Sequence, residues 1–245
     1  MSDKNNKINI NKYEILPVKI DKTISEKWAN VEPHLPRHAF AILVSAPPRS
    51  GKTNMLVNML INPSFDWINK FDKIVWISPS ILTDKTAKPI LEIANDEDNP
   101  LSEKIKIFTG DDIDNMDELI KLIIEDQDEN PEQETLVILD DCLGKMKNNS
   151  FSRLYTRYRH KNISMLAISQ LFKGFDITCR ACASGLILFK THNDREKQKI
   201  LEELAGYPDA KDAYDEATEK KHSFLWVNNE TGELWRNFEE LLYKK

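Results

Sequence analysis

The feature that most constrains this chain is a short apolar run that leads into a glycine-lysine-threonine turn. Residues 40–44 read Phe-Ala-Ile-Leu-Val, and residues 46–53 read Ala-Pro-Pro-Arg-Ser-Gly-Lys-Thr. After the turn, apolar residues recur at helical spacing, at positions 55, 56, 59 and 60. A buried strand, a tight turn and an amphipathic helix in this order present backbone N–H groups to a phosphate. The segment therefore predicts a nucleotide-phosphate site.

The residue types in the turn suit the parts of a nucleoside triphosphate. Lys52 is placed to reach the β- and γ-phosphates, the Thr53 hydroxyl is a ligand for Mg²⁺, and Gly51 lets the backbone close tightly beside the ligand. Ala46 stands where the usual motif has its first glycine, and a negative φ at this position preserves the turn. The predicted phosphate-binding residues are Ala46, Pro47, Pro48, Arg49, Ser50, Gly51, Lys52 and Thr53.

A second apolar run ends in two carboxylates. Residues 136–139 read Leu-Val-Ile-Leu and are followed by Asp140 and Asp141. In nucleotide hydrolases the first carboxylate at such a strand tip holds Mg²⁺ through water, and the second orients and deprotonates the attacking water. A further run, residues 163–168, ends next to Gln170, whose amide suits a hydrogen bond to the γ-phosphate or the water. We predict Asp140 as a metal ligand and Lys52, Asp141 and Gln170 as catalytic residues; the alternative for Gln170 is a polar strand end facing solvent.

One arginine lies in a position suited to act on a neighbouring subunit. Arg159 comes just before the strand that ends at Gln170. An arginine held at a subunit edge can enter a neighbour's active site and stabilise charge on the transferring phosphoryl group. We predict this role for Arg159, and Arg180, between a helix and the following strand, is the competing candidate. A solvated charge on a basic helix is the alternative interpretation of Arg159.

Charge is distributed unevenly along the chain. Residues 142–175 contain no Asp or Glu and carry seven Lys or Arg, so the overall charge of −6 leaves −13 on the rest. Within this stretch, residues 151–161 have a helical pattern that places Arg153, Arg157 and Lys161 on one face. These charges suit contacts with DNA phosphates, and a plain solvated helix face explains them equally well. The candidate DNA contacts are Lys145, Lys147, Arg153, Arg157, Lys161 and Lys173.

Short apolar runs separated by helical segments predict an α/β fold with a central, mainly parallel sheet flanked by helices. We expect a polar N-terminal arm over residues 1–22 and a single domain over residues 23–245, with a C-terminal β-hairpin at about residues 222–238. No apolar stretch approaches a membrane span in length, and the N-terminus has no apolar signal core. With only three cysteines, these features favour a reduced, intracellular environment and argue against secretion.

The order of these motifs resembles the FtsK–HerA superfamily of P-loop ATPases, which pump DNA. The phosphate turn (Walker A), the Leu-Val-Ile-Leu-Asp-Asp segment (Walker B), the arginine before the next strand and the glutamine at its end carry the resemblance over roughly residues 38–190. Within the superfamily, the chain is most similar to the poxvirus-type genome-packaging ATPases of large DNA viruses and their virophages. Ala46 departs from the first glycine of that family's motif.

The resemblance implies a RecA-like P-loop NTPase fold in which one strand is inserted between the acidic strand and the phosphate-turn strand. It implies ATP and Mg²⁺ as cofactors and a homo-oligomer, a ring of six subunits, that drives double-stranded DNA into a preformed capsid. The partners it implies are DNA, further copies of the chain and a capsid component. The expected location is the host cytoplasm or a viral factory, or the virion.

Two other functions use the same phosphate turn. A small P-loop kinase would need an arginine-rich lid over a second substrate, and the basic residues 153–161 are a candidate for it. A nucleotide-dependent assembly module with slow hydrolysis is the third possibility, and Ala46 and the acidic average charge are compatible with it. The Asp140-Asp141 pair and Gln170 suit activation of water better than transfer to an alcohol, so we rank the DNA-translocating ATPase first.

Overall fold

The computed structural model describes residues 25–142 and 148–244, and a single nine-stranded sheet crosses them. The strands are β1 Ala41–Ser45, β2 Lys73–Ile77, β3 Ile105–Phe108, β4 Thr135–Asp140, β5 Ile163–Ser169, β6 Gly185–Phe189, β7 Phe224–Asn228, β8 Glu233–Arg236 and β9 Glu240–Lys244. Their order across the sheet is β3-β2-β4-β5-β1-β6-β7-β8-β9. Strands β1 to β6 pair in parallel, and β7 to β9 continue the sheet in antiparallel pairs.

Helices cover both faces of the sheet. They are α1 Glu26–Ala29, α2 Lys52–Ile61, α3 Trp67–Lys70, α4 Lys88–Asn95, α5 Met116–Glu129, α6 Asn148–Arg157, α7 Ile177–Cys182, α8 Asp194–Glu203 and α9 Ala210–Ala217. Short 3₁₀ turns join several of them, including Ile81–Thr83 and Lys85–Ala87 after β2 and Tyr158–Lys161 after α6. No helix of the described residues has the length and apolar character needed to cross a lipid bilayer.

Side chains along the central strands point alternately to the two faces of the sheet, so the core consists of two layers. Ile42 and Val44 of β1 pack with α2, α3 and α4 on one face, and Leu43 packs with α5, α6 and α9 on the other. Every residue of β1 and β4 is buried. This explains why these strands are mostly apolar, since a parallel strand covered on both faces has no solvent-exposed side to carry polar residues.

The structure confirms the predicted α/β fold with a mainly parallel sheet flanked by helices. It also places β5 between β4 and β1, as the family resemblance implies. The chain beyond β6 forms three antiparallel strands, so the expectation of a C-terminal hairpin alone was incomplete. Strand β9, Glu-Leu-Leu-Tyr-Lys, is a mostly exposed edge strand with no clear alternation, and this is why its sequence gave no signal.

Two further expectations differ from the structure in detail. The apolar residues after Lys73 predict a strand as far as Ser80; this strand, β2, ends at Ile77, because Pro79 has no N–H to donate to the ladder. Apolar residues at helical spacing predict a helix over residues 114–128, and this helix, α5, runs from Met116 to Glu129. The expected N-terminal arm, residues 1–22, lies outside the described residues.

A glycine at the start of β6 allows close packing against β7. A Cβ at Gly185 would lie 2.2 Å from Cη2 of Trp226 and 2.9 Å from the Val227 carbonyl oxygen. We expect Gly185→Ala to lower the free energy of unfolding by about 1–3 kcal/mol, because a buried ring or the strand itself must move. Urea unfolding measures this change.

The matched control is Gly206→Ala, since a Cβ at Gly206 meets no heavy atom within 4 Å. This variant should unfold within about 0.5 kcal/mol of the wild type. Equal stability of the two variants would contradict the packing described between β6 and β7.

Candidate functional site

The turn after β1 has the backbone shape of a phosphate-binding loop. Gly51 has φ +99° and Arg49 has φ +64°, whereas Ala46 keeps a negative φ. The Ala46 N–H donates to the Ser169 carbonyl oxygen at 2.9 Å, which ties the loop to the end of β5. Ala46 is fully buried directly after β1, and the methyl group in place of the usual glycine is accommodated without positive φ.

Helix α2 begins directly behind this loop and leaves donors for a ligand. Its first intrahelical hydrogen bond runs from the Met55 N–H to the Gly51 carbonyl oxygen at 3.0 Å, and its first turn carries no acidic residue. The N–H groups before Met55 and the positive end of the helix dipole therefore favour an anion. The Ser50 hydroxyl oxygen in the loop is buried without a hydrogen-bond partner among the described residues, as expected for a loop shaped around a ligand.

Four of the predicted catalytic and metal-binding side chains meet at the carboxyl edge of the sheet. The Lys52 ammonium lies between the two carboxylates that follow β4: it donates to Asp141 Oδ2 and lies 3.1 Å from Asp140 Oδ1, without hydrogen-bond geometry to the latter. Gln170 Nε2 donates to the same Asp141 oxygen at 3.2 Å. Since β1, β4 and β5 are parallel, their carboxyl ends bring together residues more than 80 positions apart in the chain.

Burial and charge act against each other at this cluster. Burial raises the pKa of the Asp140 carboxyl above its usual value; Lys52 opposes that shift, and the neighbouring Asp141 carboxylate adds to it. Burial also disfavours the Lys52 ammonium, but the two carboxylates outweigh it and raise the Lys52 pKa. The lysine is therefore held charged, and the site is a desolvated cation between two acids.

Two polar residues of this site were missed from the sequence. Ser78, directly after β2, is fully buried and its hydroxyl donates to Asp140 Oδ2 at 3.1 Å. Asp84, between the two 3₁₀ turns after β2, lies beside the Thr53 hydroxyl, which stabilises its charged form. Burial raises the Asp84 pKa, but the bonds from Thr53 and the Thr86 backbone lower it below its usual value. Neither residue belongs to a sequence motif. Both follow β2, and only the sheet order shows that β2 lies beside β4 and its carboxylates.

The C-terminal part of the chain also reaches the phosphate loop. The His222 Nδ1 lies 3.0 Å from the Ser50 carbonyl oxygen, and a Cβ at Gly51 would lie 3.0 Å from the same ring nitrogen. His222 comes just before β7, which is separated from β1 only by β6. The imidazole therefore covers the outside of the loop at the position where only a glycine fits.

Arg159 lies at the opposite edge of the sheet from these residues. It comes before the amino end of β5, whereas Gln170 follows the carboxyl end, and seven strand residues span about 20 Å. Its guanidinium pairs with Glu230 at 2.6 Å, donates to the Tyr158 hydroxyl at 2.8 Å and is more than half exposed. Within one chain Arg159 thus does not join the cluster around Lys52.

Arg180, the competing candidate, is less exposed than Arg159. Its guanidinium lies over the Phe172 ring, its Nε is 3.3 Å from Glu203 Oε2, and its side chain is only 20% exposed. Its reach is limited by these two contacts.

The candidate DNA contacts are divided among several environments. Arg153 and Arg157 are exposed on α6 and, with Lys161, border a cavity whose other wall is α5. Lys161 makes an ion pair with Asp128 of α5, so part of the basic face is neutralised inside the fold. Lys173 is exposed and lies 3.7 Å from Glu196. Lys145 and Lys147 lie outside the described residues.

Comparison with known protein families decides the family. The family model described as "Poxvirus A32 protein" matches residues 32–205, which include the phosphate loop, both carboxylates and Gln170. The chain belongs to the poxvirus A32 protein family. The family resemblance found in the motifs is thereby confirmed. Among curated proteins, no sequence matches the chain.

Solved structures share the fold of this A32-family chain. The genome packaging NTPase B204 from Sulfolobus turreted icosahedral virus 2, in complex with AMPPCP, matches with a TM-score of 0.56 at 15% identity, over 80% of this chain and 95% of B204. The AMP complex of B204 gives a TM-score of 0.57 at 14% identity, over 84% and 98%. The pCW3 conjugation coupling protein TcpA matches with a TM-score of 0.50 at 11% identity, over 77% and 57%. At these identities the likeness concerns the fold, a P-loop NTPase sheet.

Because Lys52 lies between two acids, removing it should lower the free energy of unfolding by an amount that depends on pH. Without Lys52 the Asp140 pKa rises further, so the folded state binds a proton at a pH where the unfolded chain does not. The variant therefore loses most stability relative to the wild type when the pH lies above the Asp140 pKa of the folded variant. It regains stability as the pH falls and Asp140 becomes protonated. We expect Lys52→Ala to lower the free energy of unfolding by about 3 kcal/mol at pH 8 and by clearly less at pH 5. Urea unfolding at both pH values measures the difference from the wild type.

The control is the double variant Lys52→Ala with Asp140→Asn, in which the more buried of the two acids no longer ionises. Its stability should depend on pH less than that of Lys52→Ala alone. An equal loss at pH 5 and pH 8 in the single variant would contradict this electrostatic account of the site.

Proposed function

We propose that this chain is an ATPase that hydrolyses ATP with Mg²⁺ and uses the energy to move double-stranded DNA, packaging a viral genome. Membership of the poxvirus A32 family supports this proposal. So does the shared fold with B204, which is described as a genome packaging NTPase and has been solved with ATP analogues. The observation that carries it is the convergence of Lys52, Asp140, Asp141 and Gln170 from three different strand ends.

The arrangement suggests how hydrolysis proceeds. The α2 N–H groups and Lys52 bind the β- and γ-phosphates, and the incoming phosphates compete with Asp141 for the lysine. Asp141 then accepts a proton from a water that Gln170 holds beside it. The water oxygen forms a bond to the γ-phosphorus while the bond from that phosphorus to the β–γ bridging oxygen breaks, giving ADP and phosphate. Lys52 stabilises charge on the phosphoryl oxygens during the transfer.

The residues around Asp140 fit a magnesium ion. Hydroxyl and carboxylate oxygens are the ligands that Mg²⁺ prefers, and it commonly uses one or two carboxylates together with substrate phosphates. Asp140 Oδ1 is buried without a hydrogen bond, Thr53 contributes a hydroxyl, and Asp84 lies beside that hydroxyl. Thr53 and Asp140 would hold the ion, which when bound would neutralise phosphate charge. Asp84 would help to orient the Thr53 hydroxyl.

A ring assembly accounts for the position of Arg159. The phosphate site and Arg159 occupy opposite edges of the sheet, so Arg159 can serve only a site on another subunit. Its exposure leaves it available to a neighbour, provided that its contacts with Glu230 and Tyr158 are exchanged, whereas Arg180 is only 20% exposed between Phe172 and Glu203. We propose a homo-oligomeric ring of six subunits in which Arg159 completes the adjacent site.

The remaining partners are proposed on the same basis. The exposed charges of Arg153, Arg157 and Lys173 are candidates for contacts with DNA phosphates. A capsid component would receive the DNA, and the host cytoplasm, a viral factory or the virion is the proposed location.

Phosphate release without an added acceptor tests the enzyme directly. The purified protein should release phosphate from ATP when Mg²⁺ is present, and duplex DNA should increase the rate. Lys52→Ala should lower turnover by at least about 100-fold, because the lysine contacts the transferring group. Exposed Lys199 pairs with Glu202 on α8 and lies outside the site, so the control Lys199→Ala should keep full activity.

Turnover that requires a small-molecule acceptor would indicate a kinase instead. Tight ATP binding without turnover, with or without DNA, would indicate an assembly module. Either result would contradict the proposed motor.

Mixing two inactive variants tests the arginine. Arg159→Ala subunits retain their own carboxylates, and Asp141→Asn subunits retain their arginine. If Arg159 acts across an interface, mixtures should regain activity that neither variant has alone, because some interfaces combine an intact site with an intact arginine. Phosphate release measured over a series of mixing ratios gives the result. Absence of rescue at every ratio would exclude the proposed role for Arg159.

A further inference from the structure

His222 supports the phosphate loop from outside. Its Nδ1 lies 3.0 Å from the Ser50 carbonyl oxygen, and a Cβ at Gly51 would lie 3.0 Å from the same ring nitrogen. A carbonyl oxygen only accepts hydrogen bonds, so Nδ1 carries the proton and donates it to Ser50. His222 lies outside residues 32–205, which the family model matches. The contact is thus made by the C-terminal part of this chain.

This hydrogen bond fixes the direction of the next N–H group. In a planar trans peptide the carbonyl and the N–H point in opposite directions. Because the Ser50 carbonyl points to His222, the Gly51 N–H of the same peptide unit points away from His222, toward the inner side of the loop. No backbone carbonyl of the described residues accepts a hydrogen bond from this N–H. It is therefore a donor directed at the space where a phosphate oxygen would bind.

The peptide between Ser50 and Gly51 needs such a restraint because of its glycine. Gly51 has φ +99°, and glycine adopts positive and negative φ with similar ease. Rotation about ψ of Ser50 and φ of Gly51 can turn this peptide over while the flanking chain stays in place, as in the two common forms of a β-turn. The reversed peptide would direct its carbonyl oxygen at the phosphates. The bond from His222 stabilises the orientation in which the N–H faces them.

His222 is itself held in place by its neighbours in the chain. It has φ +67°, a conformation in which histidine is enriched. The Ser223 side chain is buried, and its hydroxyl donates to the Lys220 carbonyl oxygen at 2.7 Å. Phe224, the first residue of β7, donates its N–H to Asn237 Oδ1 at 3.2 Å and accepts from the Asn237 N–H at 2.9 Å. The imidazole is therefore carried by a turn that is anchored to the sheet.

We propose that His222 is a positioning residue for nucleotide binding, which orients the Gly51 N–H toward the phosphates through its bond to the Ser50 carbonyl. This assignment rests on the proposed nucleotide site at Lys52. It gives a function to the turn before β7, because the antiparallel end of the sheet then determines the shape of the phosphate loop.

Three substitutions separate the hydrogen bond of His222 from its bulk and its charge. His222→Asn retains a donor, since Asn Nδ2 and His Nδ1 stand at the same position along the side chain. His222→Asp has the shape of the Asn variant but, when ionised, no donor. His222→Gly is neutral and has neither donor nor bulk. Asn, Asp and Gly all tolerate the positive φ of this position, so none of the three introduces backbone strain.

Two glycine signals in NMR spectra report on the peptide directly. Gly51 and Gly185 are the two glycines that follow a serine in the sequence, so serine labelled with ¹³C at the carbonyl and ¹⁵N-labelled glycine together select their amides. When Mg²⁺ and the ATP analogue AMPPNP bind, the Gly51 amide proton of the wild type should move downfield, because it gains a hydrogen bond to a phosphate oxygen. His222→Asn should show the same shift, and His222→Asp and His222→Gly a clearly smaller one.

The Gly185 signal is the internal control, because Gly185 is buried in β6 and does not contact the phosphate loop. Its position should be the same in all four proteins and shows that each variant is folded. If one of the two variants without a donor does not fold, the other provides the comparison.

Isothermal titration with Mg·AMPPNP measures the consequence for affinity. Wild type and His222→Asn should bind equally well. His222→Asp and His222→Gly should bind about fivefold more weakly, which is the contribution of one hydrogen bond between neutral groups. Because His222→Gly is neutral, its loss separates the hydrogen bond from the added negative charge of His222→Asp.

A full Gly51 shift and full affinity in the two variants without a donor would overturn the role of His222 and leave the nucleotide site intact. A loss in His222→Asn equal to theirs would do the same. Wild-type protein that does not bind AMPPNP, or binds it without moving the Gly51 signal, would instead overturn the proposed nucleotide site, and the role of His222 with it.

Discussion

The structure depends on one buried cation held between two acids. Lys52 begins α2, Asp140 and Asp141 end β4, and their contact joins elements 89 residues apart. Burial disfavours the charged forms of both Lys52 and Asp140, and each residue stabilises the charge of the other. This mutual dependence fixes the phosphate loop against the acidic strand before any ligand arrives. The cluster has two carboxylates, Asp140 and Asp141, and one ammonium, Lys52. A cation that arrives with the nucleotide can balance the remaining negative charge.

Parallel pairing of β1, β4 and β5 is what makes this contact possible. In such a sheet all carboxyl ends lie at one edge, so three separate sequence motifs form one cluster and the amino ends carry different residues. The same geometry puts Arg159 on the far edge, away from its own phosphate site. In the proposed ring each catalytic site would be shared between neighbours, and hydrolysis in one subunit would then depend on the position of the next.

Sequence reasoning succeeded where local pattern and chemistry coincide. The phosphate loop, the strand before Asp140 and the strand before Gln170 are each recognisable from about eight consecutive residues, and the alternation of strands and helices predicts the sheet. Three residues of the site could not be predicted from the sequence, because each contacts a residue of a different element: Ser78, Asp84 and His222. Ser78 matters only because β2 lies beside β4, and His222 only because β7 folds back near β1. Strand β9 was not predicted for a different reason, since an exposed edge strand shows little alternation of apolar and polar residues.

A crystal structure of the chain with Mn²⁺ and a non-hydrolysable ATP analogue tests the central claim most directly, because manganese can be located by its anomalous scattering. The account predicts one strong peak bound by the Thr53 hydroxyl and the Asp140 carboxylate, with Lys52 moved from Asp141 onto the phosphates. A manganese ion and triphosphate located away from Gly51, Lys52 and Asp140 would contradict it.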